Sequence, residues 1–291
     1  MKLSLGFSPC PNDTFIFDAL IHHKIDTEGL DFEVEYHDVE TLNQKAFKRE
    51  LAITKLSYHA FAYAVEDYEL LDAGSALGFG VGPLLVTKNQ ELAERLSKYP
   101  GQNLPNQLQH LKVGVPGKYT TANFLLGLAY PDLKNKEILV FSDIESALLN
   151  GEIDLGLIIH ENRFTYQEKG LFKVIDLGDF WEKTTESPIP LGGIVISRDL
   201  PQEIKEKINR LIRKSVEYAF ENPKSGLEYI RSHAQEMKES VMYKHIELYV
   251  NQYSVDLGEL GRKAIESMFS KAQVLNIVPH SEKNIFLIGN D

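Results

Sequence analysis

The sequence predicts an α/β protein built in two lobes, and three observations carry that expectation. Short apolar runs alternate with helical patterns through the first two thirds of the chain, and beyond Asp199 the texture turns to helix without strand. Four of the apolar runs also stop at small, polar or ionisable residues that read as helix starts: Ser8 to Thr14, Lys55 to Ser57, Gly117 to Ala122, and His160 to Arg163. In an open α/β sheet, ligands bind beyond the carboxyl ends of the strands, where helix N-termini offer unpaired N–H groups. The four clusters are therefore expected to wall one site.

Leu3 to Phe7 reads as a buried strand, after which Pro11-Asn12-Asp13 sets up a helix with Phe15, Ile16, Ala19 and Leu20 on its apolar face. Asp31 to His37 alternates Phe32, Val34 and Tyr36 against charged neighbours, the pattern of a half-buried strand. A short helix over Asn43 to Glu50, a strand over Leu51 to Thr54 and a helix over Tyr58 to Val65 capped by Ser57 follow. Leu70-Leu71 begins another extended stretch. Gly78 to Pro83 is punctuated by glycine and feeds the apolar run Leu84 to Thr87; Pro190 to Gly193 feeds Ile194 to Ser197 in the same way. The two phrases are expected to be paired crossovers between lobes, the glycines of the first acting as a hinge.

Between them lies a second βα set, with strands at Leu111 to Val115, Glu137 to Phe141, Asp154 to Ile159 and Phe172 to Ile175. Its helices fall at Thr121 to Ala129 and Asp143 to Leu149. Past Pro201, Ile204, Ile208, Leu211, Ile212, Val216 and Phe220 recur at helical spacing, and further helices are expected over Pro223 to His233, Val241 to Gln252 and Gly258 to Val274. The expected division is a larger, discontinuous lobe of residues 1–86 and 197–291, with 87–196 as a smaller inserted lobe. This plan is that of a type II periplasmic-binding-protein-like fold, with a ligand cleft between the lobes.

A chain of 291 residues is long enough for two domains, and its 43% apolar and 25% charged residues are ordinary for a globular protein. A formal net charge of −11 argues against nucleic acid or an anionic membrane as partner. A small anionic ligand needs only a local cation, and Lys55, Lys118 and Arg163 each lie in one of the four clusters. The apolar run after Met1-Lys2 is too short for a signal peptide, so the chain is expected in the cytoplasm. The single cysteine, Cys10, permits no internal disulfide and reads as a packed small side chain. No metal is expected, because His22 and His23 point to different sides of a helix, and no nucleotide fingerprint is present. Oligomeric state is left open.

His160 is the sharpest chemical candidate, since it follows a buried strand and an imidazole titrates near neutrality, at about 6.5. The bland alternative is a strand-end histidine bound to nearby backbone. Ser57 and Thr120 or Thr121 read as helix caps, yet a hydroxyl at such a turn can also hold a ligand carboxylate, with Lys55 adding charge. Asn12 or Asp13 reads as a cap; Asp13 is suited to bonding hydroxyls rather than anions.

The Ser8-Pro9-Cys10-Pro11-Asn12-Asp13-Thr14-Phe15 opening, Thr54-Lys55-Leu56-Ser57, Thr120-Thr121-Ala122 and Ile159-His160-Glu161 together resemble the 1,4-dihydroxy-6-naphthoate synthase family of the futalosine route to menaquinone. The similarity spans essentially the whole chain. It implies a lyase that converts cyclic dehypoxanthine futalosine to 1,4-dihydroxy-6-naphthoate with release of dihydroxyacetone, without cofactor. It further implies His160 as the proton acceptor, with Lys55, Leu56, Ser57, Thr121 and Ala122 against a small carboxylate substrate. Asn12 and Asp13 fall in the same signature, and Thr120 and Arg163 adjoin it. Rival readings are a solute-binding protein without chemistry and chorismate dehydratase, whose start does not look like this opening.

Overall fold

The computed structural model describes residues 1–234 and 238–289. The first segment runs β1 (Lys2–Phe7), α1 (Pro11–Ile21), β2 (Asp31–Tyr36), α2 (Val39–Phe47), β3 (Ile53–Ser57), α3 (Tyr58–Ala64), β4 (Tyr68–Leu70) and β5 (Ala76–Gly78). The middle segment runs β6 (Leu84–Thr87), α4 (Gln90–Leu96), α5 (Asn106–Gln109), β7 (Val113–Val115), α6 (Thr121–Ala129) and β8 (Lys136–Ile138). It continues with α7 (Ile144–Asn150), β9 (Leu155–Ile158), α8 (Asn162–Thr165), β10 (Phe172–Asp176) and α9 (Leu177–Thr185). The last segment is β11 (Ile189–Ser197), α10 (Gln202–Glu221), α11 (Leu227–His233), α12 (Glu239–Tyr249), α13 (Gln252–Val255) and α14 (Gly258–Val274).

Two compact units result, Met1–Gly78 with Pro190–Asp291, and Phe79–Ile189. The chain thus changes unit at 78/79 and 189/190, where the sequence had suggested 86/87 and 196/197. The physical reason is strand pairing: β6 belongs wholly to the inserted sheet, while β11 from Gly192 onward pairs with β3.

The first unit is built on a sheet of order β2-β1-β3-β11-β4, with β5 on β11. β1 is parallel to both β2 and β3, and β11 is antiparallel to β3 and β4. Helix α10 presents the stripe Ile208, Leu211, Ile212, Val216 and Ala219 to the core that also holds Phe15, Ile16 and Leu20 of α1. Each fully buried aliphatic side chain of that kind stabilises by about 1.5–3 kcal/mol. One polar residue, Ser215, sits inside the stripe. Its hydroxyl donates to Ile16 O at 2.6 Å and accepts from Leu20 N at 3.1 Å, so it fixes the register of α1 against α10.

The second unit is built on a sheet of order β10-β6-β9-β7-β8, in which β7 is parallel to β8 and β9 while β6 runs antiparallel to β9 and β10. Helix α7 lies directly over β9: a Cβ on Gly156 would stand 2.5 Å from Leu148 Cδ1 and 2.7 Å from Ile144 Cγ2. A side chain at 156 would have to push both aside, so glycine keeps the helix close to the strand. Helix α9 has no counterpart in the sequence reading. Asp176 caps it by accepting from Gly178 N and Asp179 N, and Trp181 is wholly buried with its indole N–H donating to Pro188 O at 3.3 Å.

Several element boundaries differ from the sequence expectation, and those of α2 and β3 bear on the site. Helix α2 starts at Val39 because Asp38, not a residue near Asn43, is its cap, accepting from Glu40 N and Thr41 N. The turn that follows is completed by Arg49 in the left-handed region, at φ +59°. β3 begins at Ile53 and, paired with β11, extends through Ser57, so Lys55, Leu56 and Ser57 lie on the strand rather than in a turn beyond it.

Candidate functional site

Because β1 and β3 are parallel neighbours, their carboxyl ends bring Ser8–Asp13 and Lys55–Ser57 together at one edge of the first unit's sheet. Asp13 is the hub. Its Oδ2 accepts from Ser8 Oγ at 2.7 Å and from Ser8 N at 3.3 Å, and its Oδ1 accepts from Asn12 Nδ2 at 2.8 Å. The Lys55 ammonium lies 3.2 Å from the same Oδ1 and donates to Gly74 O at 2.9 Å. The ammonium is thus held by one hydrogen bond and one ion pair.

Ser57 stands at the N-cap position of α3 but makes no capping bond with its side chain. Instead its N–H donates to Asn43 Oδ1 at 3.2 Å and its hydroxyl accepts from Asn43 Nδ2 at 3.5 Å, so the cap expected from sequence is replaced by a cross-link to α2. Leu56 is buried in the core. The partner strand is thinned to fit: a Cβ on Gly192 would fall 2.7 Å from Leu56 O, which only a glycine avoids.

In the second unit the parallel pair β7 and β9 likewise brings two clusters to one sheet edge, Gly117–Ala122 and His160–Arg163. Thr120 is the cap of α6, accepting from Asn123 N at 3.2 Å while donating to Gly117 O at 3.0 Å. Thr121 and Ala122 open the helix and are buried. Lys136 donates to Asn123 Oδ1 at 2.7 Å, and Asn123 Nδ2 donates to Lys118 O at 2.8 Å, tying this turn down from behind.

His160 is in the left-handed region, φ +57°, one residue past Ile159. That conformation costs an L-residue energy. Its ring meets Phe141 edge-on at 4.8 Å. The residues after it are anchored: Asn162 donates to Glu145, whose carboxylate also meets Lys169 at 2.5 Å. The Arg163 guanidinium donates to Gly82 O at 2.7 Å, to Gly80 O at 3.2 Å and to Asp176 at 2.5 Å. Arg163, singled out as a cation for the ligand, is thus engaged with the glycine-rich segment.

Sequence reasoning missed Asn43, Gly74, Glu145 and His245. The last is wholly buried on α12 and shares the apolar face with Met242, Ile246 and Tyr249. Its signal was there to read: a histidine inside an apolar stripe must find a polar partner.

Both units place their clusters where α/β folds hold ligands, and the comparison with known proteins is equally direct. A family model described as menaquinone biosynthesis matches residues 3–274. The chain belongs to that family. Within it, a 1,4-dihydroxy-6-naphthoate synthase of Thermus thermophilus is 41% identical over 285 residues, covering 98% of this chain and 99% of its own. The enzyme of the same name from Streptomyces coelicolor is 38% identical over 282 residues, 95% of each chain. A protein of Archaeoglobus fulgidus with a known crystal structure is 34% identical, with a TM-score of 0.84 over 95% of this chain and 98% of its own. A Candida albicans protein described as having the generic periplasmic binding protein fold aligns with a TM-score of 0.67 over 97% of this chain and 92% of its own, at 14% identity. The menaquinone-biosynthesis family member described here thus has the α/β, periplasmic-binding-protein-like fold. No helix among its described residues is long and apolar enough to cross a membrane.

Proposed function

We propose that this chain is a carbon–carbon lyase of menaquinone biosynthesis, converting cyclic dehypoxanthine futalosine to 1,4-dihydroxy-6-naphthoate with release of dihydroxyacetone. His160 is the general base. Lys55, Leu56, Ser57, Asn12 and Asp13, and Thr120, Thr121 and Ala122, contact the substrate, whose carboxylate is met by an ammonium and by hydroxyl and N–H donors. The reaction takes place in the cytoplasm, with no nucleic acid or membrane as partner and no cofactor.

The observation that carries this reading is the backbone of His160. His160 is held at φ +57° at the carboxyl end of a buried strand, with anchored residues directly after it, and so stands where α/β folds hold ligands on a backbone that costs an L-residue energy. Conversion of this substrate needs one proton removed, after which a carbon–carbon bond breaks and an aromatic ring is gained. Positioning and a base suffice for that. Lys55 supports the reading as well: its ammonium stands at the carboxyl end of β1 and β3, held by Asp13 and by Gly74 O, and a lysine has three donors to share with a ligand.

The test is incubation of the purified protein with cyclic dehypoxanthine futalosine, followed by mass-spectrometric search for the naphthoate and dihydroxyacetone. Both products are expected, and neither with His160→Ala, which should still bind the substrate. Binding of the substrate without either product would make this a solute-binding protein, and an enolpyruvyl product from chorismate would make it a dehydratase.

A further inference from the structure

We propose that His245 is a positioning residue for Lys55, acting through the side chains of Asn12 and Asp13. The inference rests on the reading that Lys55 contacts the substrate.

The four side chains form one line through the interior of the first unit, two hydrogen bonds followed by an ion pair. His245 Nε2 lies 2.9 Å from Asn12 Oδ1, Asn12 Nδ2 lies 2.8 Å from Asp13 Oδ1, and Asp13 Oδ1 lies 3.2 Å from Lys55 Nζ. All four residues are buried, His245 wholly so. Water therefore does not stand in for a missing partner, and an unmatched group in such a line costs more than the bond it replaces.

The line has a direction. Asp13 is surrounded by donors, the hydroxyl and N–H of Ser8, the amide of Asn12 and the ammonium of Lys55, so it accepts throughout. Asn12 must then turn its NH₂ toward Asp13 and its oxygen toward α12. An oxygen there accepts only from a protonated ring nitrogen, which assigns the proton of His245 to Nε2. The assignment works in reverse too. With N–H at Nε2, a flipped Asn12 would set NH₂ against N–H at one end and oxygen against carboxylate at the other. His245 thus holds Asn12 in the one orientation that lends Asp13 a donor, and Asp13 in turn fixes where the Lys55 ammonium stands. The role belongs to a donor at that point, not to an imidazole as such. Glutamine can supply one; leucine cannot.

The experiment compares His245→Leu, His245→Gln, Lys55→Met and the His245→Leu/Lys55→Met double variant by kcat and KM with cyclic dehypoxanthine futalosine, with melting temperatures alongside. His245→Leu is expected to raise KM about tenfold, the cost of one unmatched buried polar group, with a smaller effect on kcat. His245→Gln should return KM to within about threefold of the parent, and His245→Leu should add less in the Lys55→Met background than it does in the parent. A parental KM in His245→Leu, failure of His245→Gln to rescue at parental melting temperature, or additive effects in the double variant would overturn the proposal. Should His245→Leu not fold, ¹⁵N NMR of the histidine-labelled parent decides on its own, because a Nδ1–H tautomer at His245 is incompatible with the line. An inactive parent protein sinks the proposed function instead, which keeps the two failures distinct.

Discussion

The Asp13 carboxylate stands 3.2 Å from the Lys55 ammonium, and the two side chains are only 3% and 8% exposed. A buried pair of this kind gains little net stability over an apolar pair of the same shape, but losing one partner strands the other charge. Asp13→Asn is expected to lower the stability of the first unit by about 3–5 kcal/mol. Asp13→Asn/Lys55→Met should recover much of that loss. Urea unfolding of the three proteins checks it; a double variant less stable than Asp13→Asn would show that the pair is not coupled.

His160 allows backbone and side chain to be separated. His160→Ala and His160→Gly both lack the base, and each should lose at least about a hundredfold in turnover. Alanine keeps a Cβ in the left-handed region and glycine does not, so the glycine variant should be the more stable by about 1 kcal/mol. Equal unfolding midpoints for the two would mean that the backbone there carries no strain.

Arg163 donates to two carbonyls and a carboxylate within its own unit, a geometry for a planar fork and not for a compact ammonium. Arg163→Lys is therefore expected to reduce stability by about 1–3 kcal/mol while leaving KM close to that of the parent. Thermal melts and steady-state kinetics read the two effects apart. An unchanged melt with a raised KM would give the guanidinium back to the substrate.

Lys136, behind the Thr120 turn, has its pKa pushed down to about 8 by burial and, to a smaller degree, by the neighbouring charge of Lys134. Since the folded protein gives up this proton more readily than the unfolded chain does, the penalty for holding the charge is in full force below pH 8. It fades as pH rises from about 8 toward the ordinary lysine value of 10.5. The parent should gain stability relative to Lys136→Met across that window, and not below it. Denaturant unfolding at pH 7 and pH 10 measures the difference; a gap that widens against the parent with rising pH reverses the sign and refutes it.

Much of the fold could be read from residues in order. Pro11 after an apolar run, Thr120 before Thr121-Ala122, and the stripe of α10 are local signals whose physics is complete within a few residues, and the elements formed where expected. The reading faltered where a partner far along the chain decides. Nothing near Ser57 says that Asn43 takes the hydroxyl away from its helix. Nothing near Lys55 says that β3 pairs with β11 and so runs on to Ser57. The histidine that orients Asn12 is 233 residues away. Helix α9 was missed because Leu177-Gly178-Asp179 has weak helix propensity; its cap at Asp176 and the burial of Trp181 supply what propensity lacks.

The insertion of β11 between β3 and β4 has a consequence for synthesis. A ribosome delivers β1 to β5 and then residues 79–189 before the strand that joins β3 to β4 exists, and α1 must wait longer still for α10. The inserted unit, complete in sequence, can finish its own sheet while the nascent N-terminal segment keeps raw strand edges and the apolar side of α1 uncovered. Chaperone demand should accordingly peak before residue 221 clears the exit tunnel, and truncations ending just short of α10 should be the aggregating ones.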